Sequence, residues 1–266
     1  MRSLADPGPD ARETLCGMAI MAKASHPGRC KTRLSPPLTM EAAATLNTVF
    51  LRDIGANIVA AAGQAPIQGM AAYHPIGEEA FFDDVLPADF RLIPPHEAGF
   101  GMGLIHAARD ILDAGYGSMC LVNSDSPTLP SAYLAEAARL LALPGDRVVL
   151  GPAADGGYYL IGLKRFHLRM FEEIDWSTER VYRQSLARAA ELGLEVATLP
   201  IWYDVDDHET LSALGRELFV PGAATPYTGG SPAVHSRALL ADLVGRGLDL
   251  GLRIPESVDE KEACQI

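Results

Sequence analysis

An unbroken apolar run, Met119 to Val122, gives way at once to Asn123-Ser124-Asp125-Ser126-Pro127-Thr128-Leu129-Pro130, and an Ala/Leu-rich stretch from Tyr133 to Leu143 follows. A short apolar run bounded by turn formers reads as a buried strand. The two prolines cannot continue it as a central strand, and the segment beyond them has helical spacing. Strand, polar loop and helix in succession is the layout of an α/β protein, in which ligands bind beyond the carboxyl ends of the strands. Asp125 falls at such an end. A carboxylate there has two roles open to it. It can hold a divalent cation that bridges phosphate oxygens, or it can cap the next turn as Asx residues do.

The same alternation runs along the chain. Leu15 to Ala22 reads as the first strand and leads into Lys23-Ala24-Ser25-His26-Pro27-Gly28-Arg29-Cys30-Lys31-Thr32-Arg33-Leu34-Ser35-Pro36-Pro37-Leu38. A loop this basic, with Gly28 inside it, suits phosphate binding through ammonium, guanidinium and backbone N–H groups; the alternative is a solvated basic turn. It is not a Walker A loop, because the GxxxxGK[ST] spacing is absent. Thr39 reads as the N-cap of a long helix, about Met40 to Ala62, whose Leu46, Val49, Phe50, Ile54 and Ile58 share a face. Ile67 to Ala72 and Arg91 to Ile93 read as strands, and Gly77 to Asp89 fits no element. Gly99-Phe100-Gly101-Met102-Gly103 opens a helix to about Asp113.

Arg147 to Leu150 is a further strand. Asp155-Gly156-Gly157 reads as a tight turn with positive φ, and Tyr158 to Leu163 as the strand that returns. A helix is expected from about Glu179 to Leu192 and a strand from Leu194 to Leu199. Tyr203-Asp204-Val205-Asp206-Asp207 then precedes a helix from His208 to Phe219. Residues 1–14 read as a loose tail and 15–219 as the main domain. Residues 220–266 read as a Pro/Gly linker, a short helix and a charged tail, dispensable for the fold.

A formal net charge of -12 argues against a nucleic-acid partner or an anionic membrane surface. The four cysteines have no CxxC spacing and form neither a zinc pattern nor a disulfide framework. No run approaches the ~18 apolar residues of a membrane span, and the first residues lack the pattern of a signal peptide. A cytoplasmic location is expected. Within this acidic chain, Asp125 and Asp206 could supply carboxylates to one cation from different strands, with Lys31 and Arg33 holding the remaining phosphate charge.

Read together, Lys23-x7-Lys31-Thr32-Arg33-Leu34-x-Pro36, Ser124-Asp125-Ser126-Pro127-x-Leu129-Pro130, Gly151-Pro152-x-x-Asp155-Gly156-Gly157-Tyr158-Tyr159-Leu160-x-Gly162, Trp176-Ser177-Thr178-Glu179 and Asp204-Val205-Asp206 resemble one bacterial family. These are glycosyltransferase-A-type proteins known as radical-SAM-associated or arsenosugar-biosynthesis glycosyltransferases. They are similar to the guanylyltransferases of deazaflavin- and molybdenum-cofactor synthesis. The resemblance covers about residues 17 to 215. It implies a nucleotide-diphospho-sugar transferase fold, a mostly parallel twisted sheet with helices on both faces. It implies that Lys23, Gly28, Lys31, Thr32 and Arg33 lie against nucleotide phosphates, that Asp125 and Asp206 bind Mg²⁺ or Mn²⁺, and that Asp125 and Lys31 are catalytic. Asp155, Gly156, Gly157, Tyr158, Trp176, Ser177 and Thr178 would line the second-substrate side. The chain departs from relatives at Phe100-Gly101-Met102-Gly103, where they carry a Gly-Asp-Leu-Gly-x-Arg-like stretch, and at Asn123, where they often have Gly.

The expected activity is that of a metal-dependent transferase with a nucleotide-activated donor and a small-molecule acceptor. Nucleotidyl transfer from an NTP is slightly favoured by the density of cations in the loop. Glycosyl transfer from an NDP-sugar is the alternative, and a non-catalytic nucleotide-binding protein a more remote one.

Overall fold

The computed structural model describes residues 8–95, 99–220, 222, 227 and 229–251. The far ends of both expected tails, at 1–7 and 252–266, lie outside the described residues, as does half of the expected linker.

A seven-stranded sheet forms the centre, built from β1 (Cys16–Lys23), β2 (Ile67–His74), β3 (Arg91–Ile93), β4 (Ser118–Val122), β5 (Arg147–Pro152), β6 (Tyr158–Leu163) and β7 (Glu195–Thr198). Its order is β3-β2-β1-β4-β6-β5-β7. β6 runs antiparallel to both neighbours, and the other pairs are parallel. The helices are α1 (Pro9–Arg12), α2 (Met40–Ala62), α3 (Glu79–Val85), α4 (Phe100–Asp113), α5 (Ser131–Ala142), α6 (Val181–Glu191), α7 (His208–Phe219) and α8 (Val234–Gly245), with 3₁₀ turns at Thr32–Leu34 and Leu168–Phe171.

The parallel strands read as nearly continuous apolar runs because both faces of the sheet are covered. Along β1, Met18, Ile20 and Ala22 enter the core under α2 and α5, while Ala19 enters the opposite core under α4. Helix α2 starts where Thr39 takes the N-cap and its hydroxyl accepts from the Ala42 N–H at 3.1 Å. Helix α7 starts at a capping box, with Asp207 accepting from the Thr210 N–H at 2.9 Å.

The chain crosses from β3 to β4 on the far side of β1, so the carboxyl ends of β1 and β4 lie side by side. Ile20 pairs with Val122 in register. This is the topological switch point of the sheet, where a crevice opens. It brings the basic loop after β1 next to Asp125 after β4. The β5–β6 hairpin brings the Asp155 turn to the same edge, and Gly156 has the expected positive φ of 91°.

Three expectations change. The segment from Gly77 to Asp89 contains helix α3. The start of the chain is tied to the domain at residue 12: Arg12 belongs to α1, and its guanidinium donates to the Ala114 carbonyl at 2.9 Å. The segment beyond 219, expected to be separable, returns to the domain as α8, which packs on α2 and α7. Helix α8 has Ala233 at its N-cap, a methyl side chain that cannot accept a hydrogen bond. Asp53 of α2 takes that place. Its carboxylate accepts from the His235 N–H at 3.0 Å, the Ser236 N–H at 2.8 Å and the Ser236 hydroxyl at 2.6 Å. Asp53 is 1% exposed and Ser236 0%. The pattern missed this because the cap lies 183 residues away in the chain.

Candidate active site

The crevice at the switch point holds a cleft of about 480 Å³. On its first side stand Lys23, Arg29, Lys31, Thr32 and Arg33 from the loop after β1. Asn123, Ser124 and Asp125 line it from the end of β4. Asp155, Gly157 and Tyr158 come from the β5–β6 turn, Trp176, Ser177 and Thr178 from the loop before α6, and Asp204 and Asp206 from the segment before α7. Five segments that are far apart in sequence therefore meet in one place. Gly28 and Gly156, expected among the binding residues, do not line the cleft. Gly28 has a φ of 73° and turns the loop. A side chain on Gly156 would collide with the Glu179 backbone, since its Cβ would stand 2.3 Å from the carbonyl oxygen.

The centre of the cleft floor is an ammonium. Lys31 Nζ donates to the Val205 carbonyl at 2.6 Å. It also reaches Asp125 Oδ1 at 2.6 Å and Asp206 Oδ1 at 3.1 Å. The Lys31 side chain is only 5% exposed, and Nζ lies 5.4 Å from the centroid of the Phe50 ring. Burial alone would lower its pKa, but the carboxylates of Asp125 and Asp206 outweigh that and raise it above the ordinary lysine value. Lys31 was expected on donor phosphates; instead its three N–H bonds are directed at protein oxygens. Asp125 aims its carboxylate at this ammonium. The Asp125 carbonyl accepts from the Val205 N–H at 2.9 Å and ties the two carboxylate-bearing loops together.

Lys23, Arg29 and Arg33 are exposed, and no ion pair engages them among the described residues. Asn47 of α2 braces the start of their loop by donating to the Lys23 carbonyl at 3.0 Å and to the Ser25 hydroxyl at 2.9 Å. His26 joins Glu78 at 2.7 Å and holds the same loop against the start of α3.

Asp204 is a cleft carboxylate with an unusual charge state. Burial first, then the nearby carboxylates of Asp155 and Asp206, push its pKa up to about 7. Opposite it lies an aromatic wall. Trp176 meets Phe100 edge-on at 5.8 Å and Tyr158 edge-on at 6.5 Å. Gly101 allows this approach, since a Cβ there would stand 2.4 Å from Trp176 Nε1. The departure at Phe100-Gly101 thus has a structural correlate. Of the four non-glycine residues with positive φ among those described, Lys31 at 49° and Ser177 at 63° both line the cleft. Strained backbone of this kind concentrates at functional sites.

A second, more apolar cavity of about 680 Å³ adjoins the first. It is lined by Met21, Ala72, Tyr73, Pro94 and Ala107 and shares Lys23, Phe100 and Ser124 with the cleft. Sequence reading missed Arg29, Phe100, Asn123, Ser124 and Asp204 as lining residues. Arg29 and Asp204 had a signal, since each sits inside a segment already singled out. Phe100 had none, because its place depends on packing against Trp176.

Among the described residues no group of three or more His, Cys, Asp or Glu side chains could hold a metal ion. Two carboxylates suffice where substrate phosphates complete the shell of Mg²⁺. The residues here fit such an ion. Asp125 Oδ1, Asp206 Oδ1 and the Val205 carbonyl converge on one cationic centre, which in this structure is Nζ of Lys31. Among the described residues no helix is long and apolar enough to cross a membrane.

Comparisons with known proteins agree with the architecture. Residues 57–178 match the family described as uncharacterized protein conserved in bacteria (DUF2064). That segment runs from the last turns of α2 to the Trp176-Ser177-Thr178 wall. No curated protein gives a significant sequence match. A solved structure from Desulfovibrio desulfuricans G20, described as a candidate nucleotide-diphospho-sugar transferase, is 27% identical. It superposes with a TM-score of 0.70 over 87% of this chain and 95% of that one. More distant are a cytidylyltransferase from Leptospira borgpetersenii serovar Hardjo-bovis (12% identity, TM-score 0.49, 87% and 95% covered) and Rv0371c from Mycobacterium tuberculosis H37Rv (16%, 0.45, 76% and 96%). With its seven-stranded sheet, its switch-point cleft and its likeness to the Desulfovibrio protein, the chain has the nucleotide-diphospho-sugar transferase fold.

Proposed function

We propose that the protein is a divalent-metal-dependent transferase that uses a nucleotide-activated donor, and that it transfers a nucleotidyl group from an NTP to a small phosphorylated or hydroxylated acceptor. One observation carries this reading. In a chain of net charge -12, three exposed cations, Lys23, Arg29 and Arg33, line the same cleft as a point on which two carboxylate oxygens converge. Cations and carboxylates in one cleft suit a ligand that brings both phosphate charge and a metal.

In this reading the apolar cavity beside the cleft takes the nucleoside. Its size falls within the ~300–1,000 Å³ of small-molecule sites. Lys23, Arg29 and Arg33 hold the phosphates, and Asp125 and Asp206 hold Mg²⁺ or Mn²⁺. When bound, such an ion offsets charge that develops on the leaving group. The acceptor enters along Asp155, Tyr158 and Trp176. Its oxygen attacks the α-phosphorus, the bond to the bridging oxygen breaks, and pyrophosphate departs. Asp204, poised near neutrality, lies on this side and is suited to take the proton of an acceptor hydroxyl.

Glycosyl transfer from an NDP-sugar is the second reading, and the aromatic wall of Phe100, Trp176 and Tyr158 favours it, since such faces pack against sugar rings. Incubation with each NTP and each NDP-sugar, with Mg²⁺ or Mn²⁺ and a panel of small acceptors, separates the two. Acceptor-dependent release of pyrophosphate is the expected result. Release of NDP would move the assignment to glycosyl transfer.

A further inference from the structure

We propose that the point between Asp125 and Asp206 is a single cation position which Lys31 occupies until a divalent metal displaces it, so that metal and donor are taken up together. The inference rests on the reading of Asp125 and Asp206 as metal ligands and adds to it a competitor from the chain itself.

An ammonium has three N–H donors and no acceptor. Those of Lys31 are matched by three acceptors, the Val205 carbonyl at 2.6 Å, Asp125 Oδ1 at 2.6 Å and Asp206 Oδ1 at 3.1 Å. A group satisfied in this way has nothing left for a phosphate. The same oxygens are the hard donors that a divalent cation needs. Two cations competing for the same carboxylate oxygens repel strongly at such short range. Entry of a metal therefore expels the ammonium.

The expelled group has lost its acceptors. Lys23, Arg29 and Arg33 beside it are cations that cannot replace them, which leaves Asp155 and Asp204 as the other carboxylates of the cleft. Phosphate oxygens of a donor can replace the lost acceptors. Metal alone displaces Lys31 with only Asp155 and Asp204 to turn to, whereas metal arriving with a nucleotide supplies both the competitor and a new partner of higher charge. The two ligands are coupled through one side chain, and the coupling is reciprocal. The local backbone suits an exchange. Lys31 sits at φ 49° and ψ 35°, a left-handed conformation rare outside glycine, directly before the 3₁₀ turn Thr32–Leu34. A small backbone change there re-aims the side chain.

The test is Mn²⁺ binding without turnover, read by the EPR signal of free Mn²⁺. The panel is the full chain and its Lys31→Met, Arg33→Met and Asp125→Asn variants, each with and without a nucleotide. Removing Lys31 should tighten binding of Mn²⁺ alone by about tenfold or more, and the enhancement that nucleotide gives the unmodified chain should shrink by a similar factor. Arg33→Met removes the same charge from the cleft without vacating the position, and should change Mn²⁺ affinity far less. The unmodified chain gives an independent readout. Acylation of Lys31, followed by peptide mass spectrometry against Lys164 as reference, should be slow without metal, several-fold faster with saturating Mn²⁺ alone, and slow again once a nucleotide is added. Equal Mn²⁺ affinity in the unmodified chain and Lys31→Met, or equal effects of Lys31→Met and Arg33→Met, would overturn the exchange. In that case Asp125→Asn still reports on the ligand assignment. Loss of Mn²⁺ binding there leaves the carboxylate reading standing, and undiminished binding there removes both.

Discussion

The contact between Asp53 and the start of α8 yields a quantitative expectation. Asp53→Ala removes the acceptor of three hydrogen bonds at 3.0, 2.8 and 2.6 Å. The two backbone donors are the second and third residues of α8, the ones an N-cap side chain would satisfy, and loss of such a cap costs about 0.5–2 kcal/mol. The Ser236 hydroxyl is fully buried, and leaving it without an acceptor adds about 1–3 kcal/mol. Relief of the buried carboxylate's own desolvation offsets part of this. The net expectation is a loss of about 2–4 kcal/mol in equilibrium urea unfolding at neutral pH. With about 2–4 °C of melting temperature per kcal/mol in a chain of this size, the thermal midpoint should fall by roughly 5–15 °C. A chain ending at Val220 supplies the control. It lacks the donors, so Asp53→Ala should have little effect there or even stabilise, and the two changes should be strongly non-additive. An effect under about 0.5 kcal/mol in the full chain, or the same effect in both backgrounds, would refute the claim that Asp53 caps α8.

Other expectations concern the cleft. Asp125→Asn should keep the far-ultraviolet circular dichroism spectrum and lower metal-dependent turnover by orders of magnitude, as a single rate measurement with the active substrate pair would reveal. Lys23→Ala and Arg33→Ala should each weaken nucleotide binding by about 1.5–3 kcal/mol in calorimetric titration, the range for charge-assisted hydrogen bonds. For Asp204, the folded pKa of about 7 lies above the unfolded carboxylate value. The native state then holds the extra proton between those two values, so this group's contribution to stability falls as pH rises toward 7. Asp204→Asn should therefore raise the melting temperature of metal-free protein at pH 8 more than at pH 4, and equal shifts at both would contradict the assignment.

Much of the fold was legible because a sheet covered on both faces imposes apolar runs on its strands, and β1, β4 and β6 stand out in the sequence for that reason. Helix α2 was legible at its start because Thr39 caps it locally. Helix α3 was not, since Glu79–Val85 is short, uncapped by a side chain and rich in acidic and aromatic residues. The cleft carboxylates could be found from their position after strands. The partner of Lys31 could not, because its three acceptors come from residues 125, 205 and 206 and only the completed sheet brings them to the loop at residue 31. The docking of α8 was hidden for the same reason.

Strand order also bears on how such a protein can diversify. Apart from Asp206, everything proposed to hold the donor lies on β1 to β4, in the loops beyond them or on α4. The proposed acceptor wall hangs on the β5–β6 hairpin and the segment before α6. Within the sheet the two halves meet along one antiparallel seam, β4 against β6, held by backbone bonds that do not depend on side-chain identity. Residues in the Asp155 turn can therefore vary without disturbing the register of the other half, while Trp176 is tied to it by its packing on Phe100 and Gly101. New acceptors become reachable by loop exchange while the chemistry of activation is inherited unchanged.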